Sequence, residues 1–473
     1  MKRYVLVFAI ALCGCAVGPD FHAPAAPDTQ SYTRDALPAT TEAAGASQSF
    51  VAAERALPMW WKQFHSDALD GLVDTALQQS PTLAQARAKL VEARENYIAQ
   101  AGATQFPTFD AKVSASRQKV DLATFGIPNS LNPGPFSLFN ASVDVSYALD
   151  IFGGNRRELE ALRAQVDYQQ YELDAARLSL AGNVVLTAIR RASLQQQIAL
   201  TQRLADDEAQ QLTIVEHRFA AGGVSQLDVH SQRTLLAQTV AQLPPLKTQL
   251  AQADHQLAIL LGVAPSQGDF SEITLDALHL PDTVPITLPS TLARERPDIR
   301  ASEALLHQAS ANIGVATANL YPQFVISAGI GSERTSIADV VNGLNIWNIG
   351  LNLTQPIFHG GELRAKKRAS EAAYDAALAA WQQTVLQALQ QVADTLKALD
   401  DDAHELNARE DAARDAQASV DIARAQYAAG GVSQFGLLDT QRQALQTALD
   451  KTRAQADRMT DTAALFQALG STW

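Results

Sequence analysis

Seven residues, Ala220-Ala221-Gly222-Gly223-Val224-Ser225-Gln226, recur unchanged as Ala428-Ala429-Gly430-Gly431-Val432-Ser433-Gln434, an offset of 208. Other landmarks recur in the same order. Ser80-Pro81 answers to Arg296-Pro297, Gln105-Phe106-Pro107 to Leu320-Tyr321-Pro322, Ile151-Phe152 to Ile357-Phe358, and Leu261-Gly262 to Leu469-Gly470. Solenoid units run to roughly 20–50 residues, so a repeat of this length is a whole elaborate unit used twice. The chain is therefore expected to fold as a pseudo-symmetric object. Repeat 1 covers residues 67–263, repeat 2 covers 288–473, and a connector, 264–287, joins them.

Each repeat contains two segments in which apolar and polar residues alternate. In 108–117, Phe109, Ala111, Val113 and Ala115 oppose Asp110, Lys112, Ser114 and Ser116; in 140–149, Ala141, Val143, Val145, Tyr147 and Leu149 oppose Asn140, Ser142, Asp144 and Ser146. Segments 323–332 and 346–355 behave alike, with Phe324, Ile326, Ala328 and Ile330 on one face of the first and Trp347, Ile349, Leu351 and Leu353 on one face of the second. Period-two alternation places the two sets on opposite faces of a strand. The segments approach the roughly 9–11 residues of a tilted membrane strand. Aromatics near their ends (Phe106, Phe109, Tyr321, Trp347) suit a bilayer interface.

Four strands leave two open edges, and lipid tolerates no unsatisfied backbone. Closure must then come from further copies of the chain. Two copies would give eight strands, a barrel filled by its own side chains; three would give twelve and a lumen. The repeat offset falls from 215 at Pro107/Pro322 to 206 at Phe152/Phe358, so the length difference lies in the hairpin loops. Such loops are the variable, external part of an outer-membrane barrel.

After each hairpin the chain runs without proline, from 155 to about 221 and from 362 to about 429, rich in Ala, Gln, Leu, Glu and Arg. These are good helix formers, and at 1.5 Å per residue each helix would be about 100 Å long. A run so far beyond 25 residues suggests a coiled coil. The repeated heptapeptide then ends each long helix. Its glycines supply the left-handed conformation of a helix C-terminus, and Ser225 or Ser433 can cap the returning helix, bent in the first copy at Pro244-Pro245.

Residues 1–14 read as an export signal: Lys2 and Arg3, an apolar run Tyr4–Leu12, and a lipoprotein-type box Leu12-Cys13-Gly14-Cys15. Cleavage before Cys15 leaves that residue as the lipidation site and removes Cys13, so no internal disulfide is expected. Ala16 in place of Asp favours the outer membrane. Residues 15–66 read as an extended, lipid-anchored N-terminal segment, Ala/Pro/Thr/Ser-rich over 16–58. A net charge of -13 disfavours nucleic acid, and no second long apolar run offers a membrane helix. The chain carries no G-x-S-x-G, P-loop, H-E-x-x-H or Cys/His zinc pattern, and its 9 histidines are scattered singly. No catalysis, metal or cofactor is expected.

The sequence closely resembles the NodT/OprM-type lipoprotein branch of the TolC-like outer-membrane efflux factors. The residues that carry the resemblance are Cys15-Ala16-Val17-Gly18-Pro19-Asp20-Phe21, Trp60-Trp61, Leu243-Pro244-Pro245-Leu246, Leu288-Pro289, Arg296-Pro297-Asp298-Ile299 and the two heptapeptide tips. It covers essentially all of Cys15–Trp473. It implies a homotrimer with a mixed architecture: a twelve-stranded membrane β-barrel, four strands per protomer, above a long α-helical barrel with an equatorial belt that includes the connector. The expected function is the outer-membrane channel of a tripartite efflux system, conducting small molecules passively. Its partners would be a periplasmic adaptor (membrane fusion protein), docking at Gly222, Gly223, Val224, Ser225, Gly430, Gly431, Val432 and Ser433, and an inner-membrane pump of RND, MFS or similar type.

The resemblance also implies a periplasmic gate. Tyr427, Gly430, Leu437-Leu438-Asp439 and Arg442 match the family's tip motif. Asp439 would belong to a threefold carboxylate ring and Phe435 to an apolar ring beside it. Asp228 falls where the family has a carboxylate bonding the second tip's tyrosine and basic residue. Val432 departs from a basic position in TolC itself, and Gly436 from a second aspartate. Two other readings stay open here: an exit duct for protein or polysaccharide, or a periplasmic lipoprotein without a pore.

Overall fold

The computed structural model describes residues 16–35, 38–44, 46–121, 126, 128, 134–270 and 272–470. The export signal, the lipidation site Cys15 and Asn132-Pro133 of the first hairpin loop lie outside them. In chain order the elements are β1 (Thr40–Ala43), β2 (Ala46–Ala53), α1 (Asp67–Gln79), α2 (Pro81–Gln105), β3 (Thr108–Gln118), β4 (Phe136–Leu149), α3 (Gly154–Ala220), α4 (Gln226–Leu261), β5 (Thr283–Thr287), α5 (Pro289–Glu295), α6 (Pro297–Ala318), β6 (Gln323–Arg334), β7 (Ile346–Thr354), α7 (Glu362–Ala428) and α8 (Gln434–Leu469). The two long helices have 67 residues each. Prolines 244 and 245 lie inside α4, which is one continuous helix from Gln226 to Leu261. The chain divides into two compact units, and the divisions fall inside α2, α3, α6 and α7.

The first unit (up to Pro24, Lys89–Gln169 and Ser302–Trp381) holds an antiparallel sheet in the order β3-β4-β6-β7. Register makes its faces coherent. Phe109 pairs with Val145, Val145 with Ala328 and Ala328 with Ile349, while Val143 pairs with Ile330 and Ile330 with Trp347. Directly opposed residues share a face, so the apolar rows run unbroken across four strands. Exposed large residues gather there: Val113, Trp347, Ile349 and Leu351 are 63–85% accessible. The other face carries the Asp110–Asp144–Gly329–Asn348 row and a Lys112–Asp144 ion pair at 3.1 Å. A Cβ on Gly329 would sit 2.7 Å from Asp144 Oδ1, and one on Gly331 2.6 Å from Ala141 O. Glycine on the polar face alone lets the sheet close up on that side.

The second unit (Ala25–Ala88, Gln170–Ala301 and Gln382–Trp473) contains a sheet in the order β1-β2-β5. Strands β1 and β2 lie within the segment read as extended, 16–58, and β5 lies at the end of the connector 264–287. The β1–β2 hairpin pairs β2 in parallel with β5, Ser49 opposite Thr283 through Ala53 opposite Thr287. Such pairing joins segments more than 200 residues apart and leaves no local period to read. Asn407 of α7 fastens the hairpin turn, accepting from Ala44 N–H at 2.9 Å and donating to Glu42 C=O at 2.7 Å. Buried Arg458 of α8 donates to Thr41 Oγ1 at 3.0 Å. Trp61 and Phe64 are fully buried, and Trp60 stacks on Phe466 at 5.7 Å. Arg296 donates to Asp298 at 2.9 Å, to Ala468 C=O at 2.9 Å and to the Gln391 side chain, holding the last turn of α8.

Candidate functional site at the helical tips

Both tips end their long helix in the same way. Gly223 N–H donates to Arg218 C=O at 2.8 Å, and Gly431 N–H to Gln426 C=O at 2.8 Å. These are six-to-one bonds of the Schellman type, which need a left-handed residue just before the donor. Gly222 and Gly430 fill that place, each at φ 75°. Gly223 and Gly431 face open space, with no heavy atom nearer than 3.5 Å to an added Cβ. Val224 and Val432 are half-buried, while Ser225 and Ser433 are exposed and cap α4 and α8.

The two caps differ at the third helical residue. In the first tip Asp228 Oδ2 accepts from Ser225 N–H at 2.8 Å and Ser225 Oγ at 2.7 Å, completing a capping box. The hydroxyl and then the backbone amide of Ser225 hold its carboxyl below the usual range. The second tip has Gly436 in that place, so Ser433 Oγ accepts from Gly436 N–H at 3.2 Å with no reciprocal partner. Asp228 is thus occupied within its own cap. Its expected bond to Tyr427 is not formed within the chain: among the described residues Tyr427 Oη has no hydrogen-bond partner. Tyr427 instead lies under Arg218 of α3, whose guanidinium is 5.0 Å from the ring centre.

The remaining gate candidates sit together on α8. Arg442 donates to Asp439 at 2.8 Å, one turn apart, both well exposed. Phe435 is 76% accessible. With Leu227, His230 and Leu438 these three line a groove of about 410 Å³ between α4 and α8. Behind the groove, Gln434 Nε2 donates to Gln232 Oε1 at 2.9 Å, and Gln232 Nε2 to Glu208 C=O at 3.1 Å, all buried. Sequence reasoning passed over these three, because a polar residue at a helical seam looks like any solvated position.

A second built feature sits in the other unit. Residues 16–22 lie in a notch on α3 and α6. Gly18, at φ 99°, lies so close to Gly314 that an added Cβ would be 2.5 Å from its Cα, and one on Gly153 would be 2.6 Å from Ala16 Cα. Arg157, nearly buried, donates to Asp20 at 2.7 Å, Glu160 at 2.7 Å and Val17 C=O at 3.3 Å. Glu160 in turn meets His307 at 2.9 Å, and Phe21 stacks on His307 at 4.3 Å. The Val-Gly-Pro-Asp-Phe run is thereby given a structural role, that of a latch.

The family profile described as outer membrane efflux protein matches residues 72–263 and 288–471, both repeats. The chain belongs to that family. This outer-membrane efflux protein is 30% identical to pyoverdine export outer membrane protein OpmQ of Pseudomonas aeruginosa, over all of this chain and 97% of that one. It is 29% identical to solvent efflux pump outer membrane protein SrpC of Pseudomonas putida, over all of this chain and 98% of the other. Among solved structures, the outer-membrane channel OprN superposes with a TM-score of 0.86 at 27% identity, covering 97% of this chain and all of OprN. The expected resemblance, the channel fold, the efflux function and the outer-membrane location are all met by these likenesses.

Proposed function

We propose that this outer-membrane efflux channel acts as a homotrimer, each copy adding β3 and β7 edges to close a twelve-stranded barrel. The observation that carries this is the four-stranded sheet itself. It is apolar across one face and, among the described residues, unpaired at both edges. An open edge is not tolerated in lipid, and identical copies are the simplest source of partners. A membrane extract should give a trimer band that collapses to monomer on boiling; a monomer resistant to crosslinking in detergent would overturn the assembly.

The tips serve as the gate and as the docking ends for a periplasmic adaptor, which links the channel to an inner-membrane pump of the RND or MFS type. Three Asp439 carboxylates, with Arg442 beside each, would ring the narrowest passage, and Phe435 would add an apolar collar. Like charges in a narrow, weakly screened passage attract cations. Within each chain the tips are held by Arg218 on Tyr427 and by Gln434 on Gln232, while Asp228 completes its own cap. Asp439→Ala should reduce cation selectivity in planar bilayers; unchanged selectivity would remove Asp439 from the passage.

The cargo is proposed to be small organic molecules, as the names of OpmQ and SrpC specify pyoverdine and solvents for those proteins. Cys15 is the proposed lipidation site. Palmitate labelling that persists in Cys15→Ser would refute it.

A further inference from the structure

A buried carboxylate stands in the tip bundle with neither oxygen fully satisfied. Glu208 of α3 is 0% exposed, and the Thr239 hydroxyl is the one side chain that eases its charge, too poorly aligned to satisfy either oxygen among the described residues. Its own carbonyl accepts from Gln232, whose Oε1 accepts from Gln434. Helices α4 and α8 both run away from the tips, so a seven-residue step from the Gln232–Gln434 bond brings Thr239 level with Gln441. Both are buried, and Gln441 leaves both amide atoms unsatisfied. The seam that joins the first helical hairpin to α8 therefore has two polar layers, the second holding a carboxyl group. A half-satisfied buried network is a weak place in a packed bundle.

Burial pushes the Glu208 carboxyl up to about 7; the Thr239 hydroxyl eases it and Asp207 adds to the rise. Three ion pairs lie on the surrounding helices. Asp207 takes Arg424 of α7 at 3.0 Å, Glu216 takes Arg233 of α4 at 2.7 Å, and Asp439 takes Arg442 on α8 at 2.8 Å. His230 of α4 lies in the exposed groove.

We propose that Glu208 is a positioning residue for the tips: neutral, it lets α4 pack against α8, and ionised, it loosens that seam so that the tips part. This rests on the reading of the tips as the gate. The sign follows from linkage. A carboxyl whose pKa is raised on packing binds its proton more tightly in the packed form, so packing is most favoured below the ordinary pKa of 4.5 and weakens as pH rises to about 7. The channel would then open more readily at neutral than at acidic pH.

Hydrogen exchange of the full-length channel in lipid discs tests the proposal at pH 5.5 and 7.5, corrected for intrinsic exchange. Peptides covering 226–241 and 434–446 should open about tenfold more at the higher pH in the wild type, and equally at both in Glu208→Gln, which keeps shape and removes the titration. Thr239→Val, which takes away the easing hydroxyl, should move the transition to higher pH. A wild type flat across this range, or a Glu208→Gln protein that still responds, overturns the proposal. Bilayer conductance of the same proteins separates the two readings. If exchange responds as stated while conductance does not, the seam titrates as proposed and it is the gate assignment that fails.

Discussion

Arg157 holds the first described residues of the chain in place, donating to Asp20, Glu160 and the Val17 carbonyl from a nearly buried position. Replacing it with Ala leaves the Val17 carbonyl and a half-buried Glu160 short of a donor, at about 1–3 kcal/mol. Arg157→Ala should therefore release residues 16–22 to proteinase K while the sheet and helices stay protected, and a variant with wild-type protection would show that the glycine contacts suffice. Asp402 gives a second test at this scale. Burial, then the neighbouring Asp461 carboxyl, raises it to about 7. Its protonated form is the one the fold accommodates, so stability should be greatest near pH 4 and fall as pH rises towards 7. Asp402→Asn should flatten that decline in urea titrations followed by tryptophan fluorescence. Neither role was legible in advance. The Asp20–Arg157 pair spans 137 positions, and a carboxylate at a helical seam has the same one-letter context as a solvated one. Asp228 was nearer to hand: Ser225-x-x-Asp228 is a capping-box spacing, and the structure forms that box.

At the scale of elements the sequence spoke clearly where a period was long. Freedom from proline and steady helix propensity gave both 67-residue helices to within a residue at each end, and alternation gave all four strands of the larger sheet to within four residues at each end. The β1-β2-β5 sheet escaped because its strands have only 4, 8 and 5 residues and its decisive pairing is parallel and distant. At the tips the structure divides two adjacent glycines by role. Gly222 and Gly430 need a left-handed backbone, so Ala there costs about 1 kcal/mol of helix-end stability in either copy. Gly223 and Gly431 have room for a side chain. Gly223→Leu and Gly431→Leu should therefore leave trimer yield and melting unchanged while abolishing adaptor capture and drug export. Normal export by both would make the identical heptapeptides turns and nothing more.

At the scale of the whole molecule, the duplication foretold the assembly problem better than its solution. Two hairpins placed side by side make one sheet, with β4 against β6 at the centre and β3 and β7 as free edges among the described residues. The rows running from Phe109 to Ile349 and from Tyr147 to Leu351 carry exposed large side chains, among them Phe109, Ile326, Ile349 and Leu351. Their large exposed residues would aggregate in water, whereas a bilayer satisfies them without further protein. The polar face differs in kind, since Gly329 and Gly331 have no space for a Cβ there and its charges pair across strands, as Lys112 does with Asp144. That asymmetry makes a direct test. Leu351 lies on the apolar face and its neighbour Asn352 on the other, one position along the same edge strand. Leu351→Arg should cost about 2–4 kcal/mol if it meets lipid near the bilayer midplane, and the trimer band should be lost or melt at lower temperature. Asn352→Arg, on the polar face, should assemble normally and, in the proposed trimer, lower the conductance for cations by adding three positive charges to the lumen. Equal damage from both substitutions would mean that the sheet does not separate lipid from a pore.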